Sequence, residues 1–378
     1  MLSNLKKSIG TVFFVLGCVY SLLYLVGCLT PYITPSSWSY ITFFALGFPF
    51  LLLGMLLWLI VTIIFYRKRS WIFLLVFLAG FKNIQSTIGF HFSTNFVQQK
   101  QPNSIRVLNW NVQDFIDSQI YTDTPGNKRR DIMAFIQKMD ADIVCLQDFT
   151  ERISPSFRSC VVDVSNTCNY KNHFFSKDMI TIYGPITTQY GTAIFSKYPI
   201  IDSGRTAYKN SPRSESLAFV DVLKGQDTIR VFTTHLQSMF IKLEITNEVL
   251  ADSSLNEELD FLKNNPKAYQ RIKRYDWVHA QQAILIKDQL NQSPYPFIFC
   301  ADLNSVPTSY TYHHIKKNLQ DAFVSKGVAL SNTYDGYSPT LRIDVILMSP
   351  HFKTEQYYSP RIYASDHFPV VADLQLVH

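Results

Sequence analysis

The segment Phe297–Pro307 places a carboxylate and a carboxamide directly after an apolar run. Five residues of strand-forming character end at Ala301, and Asp302 and Asn304 follow two positions apart. If the strand geometry persists, both side chains project to the same side. There Asp302 would take a proton from water, while Asn304 would donate to the anionic oxygen that the water attacks. An Asx turn after a strand is the alternative interpretation of this segment alone.

Other apolar segments also end in polar side chains whose types suit phosphate chemistry. They span residues 104–112, 141–148, 190–197, 231–238, 342–347 and 365–371. Carboxylate and amide oxygens suit a hard divalent cation, and imidazoles suit proton transfer and contact with phosphate. The polar residues concerned are Asn111, Asp148, His235, Asp344, Asp366 and His367.

In this order, the segments resemble the signatures of the endonuclease/exonuclease/phosphatase superfamily, over about residues 105–376. The alternation of predicted strands and helices indicates only an α/β class. The resemblance adds the architecture, which is two facing mixed β-sheets flanked by helices, the four-layer fold of deoxyribonucleases. It also implies a hydrolase acting on phosphate ester bonds, with the active site at one end of the sandwich.

The resemblance gives the catalytic residues distinct roles. Asp302 and Asn304 keep the roles of base for water and oxyanion donor. Asp344 accepts a hydrogen bond from one imidazole nitrogen of His367, and the other nitrogen then faces the phosphate. His235 contacts the phosphate from another side or protonates the leaving group.

Asn111, Asp148 and Asp366 are expected to hold the divalent cation, Mg²⁺ or Mn²⁺. In the superfamily the Asp148 position is usually Glu, so this carboxylate is one methylene shorter than the common ligand. Repair nucleases of the superfamily carry an Asp where this chain has Gln113. That difference favours phosphatase-like or phospholipase-like members over DNA-repair members.

The first hundred residues contain seven basic residues and no acidic ones. The apolar runs 11–30 and 40–66 are each long enough to cross a bilayer, and a third run, 71–90, is interrupted by Lys82, Asn83 and Gln85. We expect about three transmembrane helices within residues 1–91, a linker at 92–104 and a catalytic domain at 105–378.

Basic residues flank these runs on one side only, at Lys6, Lys7 and 67–69. The positive-inside rule therefore predicts a multi-pass protein of the bacterial inner membrane with a periplasmic catalytic domain. If the third run does not cross, the domain faces the cytoplasm instead. In another alternative, Leu25–Cys28 is the lipobox of a bacterial lipoprotein, and Cys28 is its lipidated N-terminus.

These features predict a membrane-anchored, metal-dependent phosphoesterase acting on a phospholipid or polyprenyl-phosphate head group, similar to the teicoplanin-resistance type. Its partners are then the bilayer and a lipid-linked phosphate ester. Nucleic acid is less favoured, because the chain beyond residue 100 carries 28 basic and 29 acidic residues and is nearly neutral. An extracytoplasmic nuclease and a non-catalytic membrane receptor that retains the fold are the alternatives. The sequence predicts no oligomeric state.

Two amphipathic helices are predicted, at Arg129–Met139 and Tyr269–Leu290, each directly before a strand of the site. His279 lies on the apolar stripe of the second helix, which is typical of a packed structural histidine. Residues 241–267 are predicted to form a helical insertion or a mobile loop near the active site.

Six cysteines are present, without a Cys-x-x-Cys pair that would favour a zinc ribbon. Cys145 and Cys300 are expected to pack as small apolar residues on buried strands. Cys160 and Cys168 lie close together in a turn-rich segment, where a disulfide is expected only if the domain is extracytoplasmic.

Overall fold

A computed structural model describes residues 2–91, 96–115, 127–153, 158–208, 216–239, 264, 267–336 and 338–377. Most of the predicted insertion at 241–267 therefore lies outside the described residues. The predicted helices are present as Asn127–Met139 and Ala268–Asn291.

Two long helices open the chain, α1 (Leu2–Leu29) and α2 (Ile41–Phe65). Gly10–Leu29 and the whole of α2 are long and apolar enough to cross a membrane, by length and composition. The helices run antiparallel, because Tyr66 stacks on Phe13 while Phe48 stacks on Tyr24.

The third apolar run does not form one long helix, which differs from the prediction of a third simple span. After a short turn at Arg67–Arg69, it forms α3 (Ser70–Ala79) and α4 (Phe81–Thr87). The break falls at Gly80, where a Cβ atom would lie 2.0 Å from the Tyr24 hydroxyl oxygen. The close approach of Tyr24 thus requires glycine at the break.

The pair α3–α4 runs parallel to α1. The Arg69 guanidinium lies 4.9 Å from the centre of the Phe14 ring, and further along the Tyr24 hydroxyl donates to the Phe77 carbonyl at 3.0 Å. Near the end of α4 the Asn83 amide donates to the Gly27 carbonyl at 3.0 Å. The chain therefore leaves α4 on the side where α1 ends and α2 begins.

Beyond these helices, the described chain consists mainly of strands, with helices between some of them. The strands are β1 (Ile88–Phe90), β2 (Ile105–Asn111), β3 (Ile143–Ile153), β4 (Asn172–Phe175), β5 (Met179–Tyr183), β6 (Ile186–Ser196), β7 (Ile200–Thr206), β8 (Leu217–Lys224), β9 (Asp227–His235), β10 (Phe297–Asp302), β11 (Gln320–Asp321), β12 (Val328–Leu330), β13 (Asp344–Met348), β14 (Phe352–Tyr358) and β15 (Val370–Leu376). The helices are α5 (Asn127–Met139), α6 (Cys160–Thr167), α7 (Ala268–Asn291), α8 (Tyr310–Lys316) and α9 (Ala322–Lys326).

Within the described residues, the strands form two large sheets. One has the order β11-β13-β10-β9-β8-β7, and the other has the order β14-β15-β2-β3-β6-β4, with β5 also paired to β6. A layer of buried Val, Ile and Cys side chains fills the space between the sheets. Helices α5 and α6 cover one outer face, and α7 and α8 cover the other. The predicted α/β two-sheet sandwich flanked by helices is confirmed.

Strand β2 shows how the sequence specifies these layers. Ile105 and Val107 belong to the core between the sheets, whereas Leu108 and Trp110 pack with α5 on the outer face. Both faces of the strand are covered, so it is apolar on both sides rather than alternating with exposed polar residues.

The catalytic sandwich is docked on the N-terminal helices at several points. Strand β1 pairs with β12, and the Arg342 guanidinium donates to the Ser86 carbonyl at 3.0 Å. Thr308, just after the β10 exit, donates to the Ala45 carbonyl of α2 at 2.8 Å. Within the predicted linker, Phe96 stacks on Tyr358 of the sandwich.

The cysteines occur as free thiols. Cys145 and Cys300 lie between the sheets, as expected. Cys160 and Cys168 are not joined, and the Cys168 thiol donates to the Met133 carbonyl at 3.6 Å.

Candidate active site

Three neighbouring strands of the six-stranded sheet bring three polar residues together by register alone. Strand β10 runs parallel to β9 and antiparallel to β13. Asp302 is paired with His235 on one side and with Asp344 on the other. Because paired residues of adjacent strands lie side by side, the three side chains meet at one end of the sheet.

Asp302 is the centre of the cluster and is fully buried. Its Oδ2 accepts a hydrogen bond from Asn111 Nδ2 at 2.9 Å, which crosses from the facing sheet. The Nε2 atoms of His235 and His367 lie 3.4 Å and 3.7 Å from the same oxygen. One carboxylate oxygen therefore faces two imidazoles and one amide.

Asp344 and His367 form a buried pair. His367 Nδ1 lies 3.0 Å and 3.2 Å from the two oxygens of Asp344. Burial lowers the pKa of His367, but the carboxylates of Asp344 and Asp302 outweigh burial and hold this pKa above its usual value. Burial raises the pKa of Asp344, and His367 partly offsets that effect. The Nε2 side of His367 is left facing Asp302.

Asn304 does not continue the strand, which corrects the expectation of a same-side pair on extended backbone. Strand β10 ends at Asp302, and Asn304 has a φ of 45°. The Asn304 backbone N–H donates to Asp302 Oδ1 at 2.9 Å, which is the turn-forming bond of the alternative interpretation. The Asn304 side chain donates to the Leu236 carbonyl at 3.0 Å and still lines the cleft described below.

Asp148 is not at the end of a strand, which corrects a second expectation. Strand β3 continues to Ile153, and its register with β6 shifts between Leu146 and Phe149. Asp148 lies in this irregularity with a φ of 51°. A bulge redirects a side chain without ending a strand, and here it aims Asp148 into the cleft.

The cluster opens into a cleft of about 340 Å³ with two unlike walls. One wall is polar and contains Asn111, Asp148, His235, Asp366 and His367. The other wall is apolar and contains Leu46, Met239, Val306, Leu341 and Ile343. Leu46 belongs to α2, so a membrane-type helix lines the same cleft as the polar cluster.

The described residues offer two groups of candidate metal ligands. Asp302, Asp344 and His367 each present a ligand atom within 4.8 Å of the others. In that group His367 Nδ1 and Asp344 already bind each other. Asn111, Asp148 and Asp366 line the open cleft and supply two carboxylates and an amide oxygen, a donor set that fits a hard divalent cation.

Several residues of the site were missed by the sequence analysis. The Tyr334 ring lies 4.9 Å from that of His367, and Tyr334 lines the cleft. Thr333 Oγ1 accepts from the backbone N–H of Asp344 at 3.0 Å, and Ser365 Oγ accepts from that of His367 at 3.1 Å. Ser365 directly precedes the predicted site residue Asp366, so its position in the sequence could have identified it. Nothing in the sequence around Tyr334 predicts that it lies in the site.

His279 is a buried structural residue, as predicted. Its ring nitrogens bond Ser305 Oγ at 3.0 Å and the Gln237 carbonyl at 2.6 Å. It therefore joins the segments that follow Asp302 and His235. Burial lowers the pKa of His279 to about 4, so the ring is neutral at neutral pH.

Comparison with known proteins identifies the family. The sequence model described as the endonuclease/exonuclease/phosphatase family matches residues 108–367. The chain belongs to this family. It is therefore a hydrolase of phosphate ester bonds. Residues 10–87 match a domain of unknown function, and no curated protein matches the chain.

Solved structures show the same fold. An endonuclease/exonuclease/phosphatase from Beutenbergia cavernae is 20% identical, with a TM-score of 0.51, over 73% of this chain and 72% of that chain. A second, from Bacteroides vulgatus, is 15% identical, with a TM-score of 0.50, over 72% of this chain and 99% of that chain. At these identities the similarity shows the fold alone.

Proposed function

We propose that this protein is a membrane-anchored, divalent-metal-dependent phosphoesterase that hydrolyses a phosphate ester in a lipid head group, of a phospholipid or a polyprenyl phosphate. The observation that carries the proposal is the cleft with two walls. Its polar wall holds the residues of phosphate ester hydrolysis, and Leu46 of the apolar wall belongs to α2. A substrate that is half phosphate and half hydrocarbon matches both walls.

In this proposal, Asp302 Oδ2 accepts the proton of the attacking water, which enters between the imidazoles of His235 and His367. The imidazolium of His367, held by Asp344, donates to a phosphoryl oxygen and offsets its growing charge. His235, whose Nε2 also lies near Asp302 Oδ2, contacts the phosphate from another side. The departing oxygen lies opposite the attacking water and takes its proton from solvent in the open cleft. A cation held by Asn111, Asp148 and Asp366, Mg²⁺ or Mn²⁺, would supply further positive charge when bound.

The depth of the cleft agrees with a head group at the bilayer surface. Leu46 precedes Phe65 by 19 residues of one helix, a rise of about 29 Å. The hydrocarbon core of a bilayer is about 30 Å thick. With Phe65 and the basic residues Arg67–Arg69 at one boundary, Leu46 is at the other.

The same geometry supports the proposed orientation. The sandwich lies where α1 ends and α2 begins, and the basic turn at 67–69 lies at the opposite end of α2. By the positive-inside rule, that turn is cytoplasmic and the catalytic domain is outside the cytoplasm, which for a bacterial inner membrane is the periplasm. A periplasmic reporter fused after Ser104 is expected to be active, and activity of only a cytoplasmic reporter there would reverse the orientation.

Hydrolysis by the detergent-solubilised full chain tests the proposed activity. The substrates are a polyprenyl pyrophosphate, a phospholipid and a supercoiled plasmid, each with Mg²⁺, with Mn²⁺ and with a chelator. We expect metal-dependent release of phosphate or head group that Asp302→Ala abolishes. Metal-dependent nicking of the plasmid alone would assign the protein to the nucleases. No turnover of any substrate would favour a receptor that retains the fold.

A further inference from the structure

The apolar wall of the cleft is built jointly by the sandwich and by α2. Val306 and Ile343 are buried against Ala45, and Leu46, Leu341 and Tyr334 pack on this cluster. Val306 lies four residues after Asp302, and Ile343 directly precedes Asp344. The apolar wall is therefore attached to the segments that carry the catalytic carboxylates, so the distance between the two walls is set by the fold.

One face of α2 extends this wall away from the cleft. Leu46, Phe50, Leu53 and Leu57 follow at spacings of four, three and four, which places them in one row on a helix. Phe50, Leu53 and Leu57 are exposed by 57%, 55% and 55%. The opposite row, with Phe48, Leu52 and Met55, is buried in the helical bundle. An exposed apolar row thus begins in the cleft and continues along the helix.

A water-soluble phosphate ester has no long hydrocarbon chain that could contact this row. In a bilayer the exposed residues of the row face lipid, and only Leu46 faces the cleft. A lipid that places its phosphate at His235 and His367 has its first carbons at the apolar wall and the rest of its chain beside the row.

We propose that Leu46 is a specificity-determining residue that contacts the first carbons beyond the phosphate of a lipid-linked substrate, whose chain lies along Phe50, Leu53 and Leu57. The proposal rests on the proposed function and deepens it. The substrate class is a phosphate ester of a long aliphatic chain, which enters sideways from the bilayer.

Two esters with the same phosphate and different chains test the role of Leu46. One is a long-chain polyprenyl phosphate in mixed micelles, and the other is methyl phosphate, a short water-soluble ester that lacks the chain carbons Leu46 would contact. Leu46→Ala removes apolar contact and is expected to raise KM for the long ester about tenfold. The ratio of kcat/KM for long over short ester falls by the same factor. Leu46→Gln, of similar size but polar, is expected to lower the ratio further.

Leu56→Ala is the matched control, because Leu56 is an exposed leucine of α2 that lies outside the row and the cleft. The ratio of kcat/KM for the long over the short ester in this variant is expected to equal that of the wild type. Unfolding temperatures of all variants identify any that fail to fold, and the ratio itself cancels a general loss of active protein.

The outcomes separate this inference from the proposed function. A wild type that prefers the long ester, with both Leu46 variants within twofold of its ratio, overturns the inference and leaves the proposed function intact. A wild type that hydrolyses only the short ester overturns both. Loss of the preference in both Leu46 variants, with Leu56→Ala unchanged, supports the inference.

Discussion

Two acidic residues of the site, Asp302 and Asp148, are held in opposite ways. Asp302 ends a regular strand, is fully buried and receives its contacts from three sides. Asp148 lies on a bulge, has a left-handed backbone conformation and is half-buried at the open side of the cleft. The first position is fixed by register with β9 and β13, and the second by a local irregularity of one strand.

This difference predicts which of the two positions tolerates substitution. A buried carboxylate surrounded on all sides has no room for a longer or differently charged side chain. A carboxylate at an open cleft adjusts its reach by rotating its side chain or by binding a cation through water. We therefore expect Asp to be tolerated at position 148, where members of the superfamily usually carry Glu.

The largest effect is expected for Asp302→Asn. The change keeps the shape but removes the proton acceptor, and the new NH2 group faces a donor in either orientation, Asn111 Nδ2 or the Asn304 backbone N–H. Initial rates of phosphate release are expected to fall by roughly a thousandfold, within the range for loss of a general base. A rate within tenfold of the wild type, in a variant with an unchanged circular dichroism spectrum, would exclude Asp302 as the base.

A smaller loss is expected for Asp344→Asn. His367 keeps its place in the fold but loses the carboxylate that favours its charged form. We expect kcat to fall about a hundredfold. Thr333→Val removes the hydroxyl that accepts from the backbone N–H groups of Ile343 and Asp344 but keeps the Asp344 carboxylate, so it is the comparison and is expected to lose less. Equal losses of kcat in the two variants would show that the Asp344 carboxylate contributes to the fold and not to catalysis.

Asp148→Glu tests the position that is expected to tolerate substitution. We expect kcat to stay within about threefold of the wild type, while the Mg²⁺ concentration for half-maximal rate shifts, because the ligand is one methylene longer. Titration with Mg²⁺ and with Mn²⁺ measures the shift. The same substitution at Asp302 is expected to abolish activity, and a tolerant Asp302→Glu would remove the distinction between the two positions.

The smallest effect on catalysis is expected for His279→Gln, because His279 contributes to the stability of the fold. Its folded-state pKa of about 4 lies below the usual value of 6.5, so the unfolded chain binds more protons between these pH values. The stabilisation is complete above pH 6.5 and is lost as pH falls towards 4, by about 3 kcal/mol. His235 and Asp302 influence the same pKa in opposite directions, by less than burial does.

The difference in unfolding temperature between wild type and His279→Gln, followed from pH 7 to pH 4.5, measures this effect. The wild type must be compared with the variant because Asp276 has an opposing effect that both share. Burial raises the pKa of Asp276 to about 6, which favours the folded state as pH falls. The wild type is expected to lose its advantage over the variant as pH falls. A constant difference across this range would contradict the assignment.

The sequence predicted the polar wall far better than the apolar one. Asp302, His235 and Asp344 each follow or begin a strand-forming apolar segment, so their convergence at strand ends is expected from local pattern. Leu46 lies near the start of a membrane-type run whose residues are almost all apolar. Only the tertiary packing of α2 on the sandwich distinguishes it from Leu53 or Leu57.

The errors have different causes. The apolar run of β3 ends at Leu146, so the strand seemed to end at Asp148, although pairing with β6 resumes at Phe149 beyond the bulge. The break at Gly80 depends on the approach of Tyr24 from α1, which no single segment reveals. The Asn304 turn was available as an alternative, since an Asx turn and a strand exit share the same residue types.

The pairing of β1 with β12 has a consequence for the order of events during synthesis. Ile88 is paired with Leu330, about 240 residues later in the chain. At roughly 5–20 residues per second, the ribosome needs on the order of 10–50 seconds to supply the partner. During that interval α1 to α4 have left the ribosome while β1 has no strand to join. This contact between the N-terminal helices and the sandwich therefore closes only after most of the sandwich has been made.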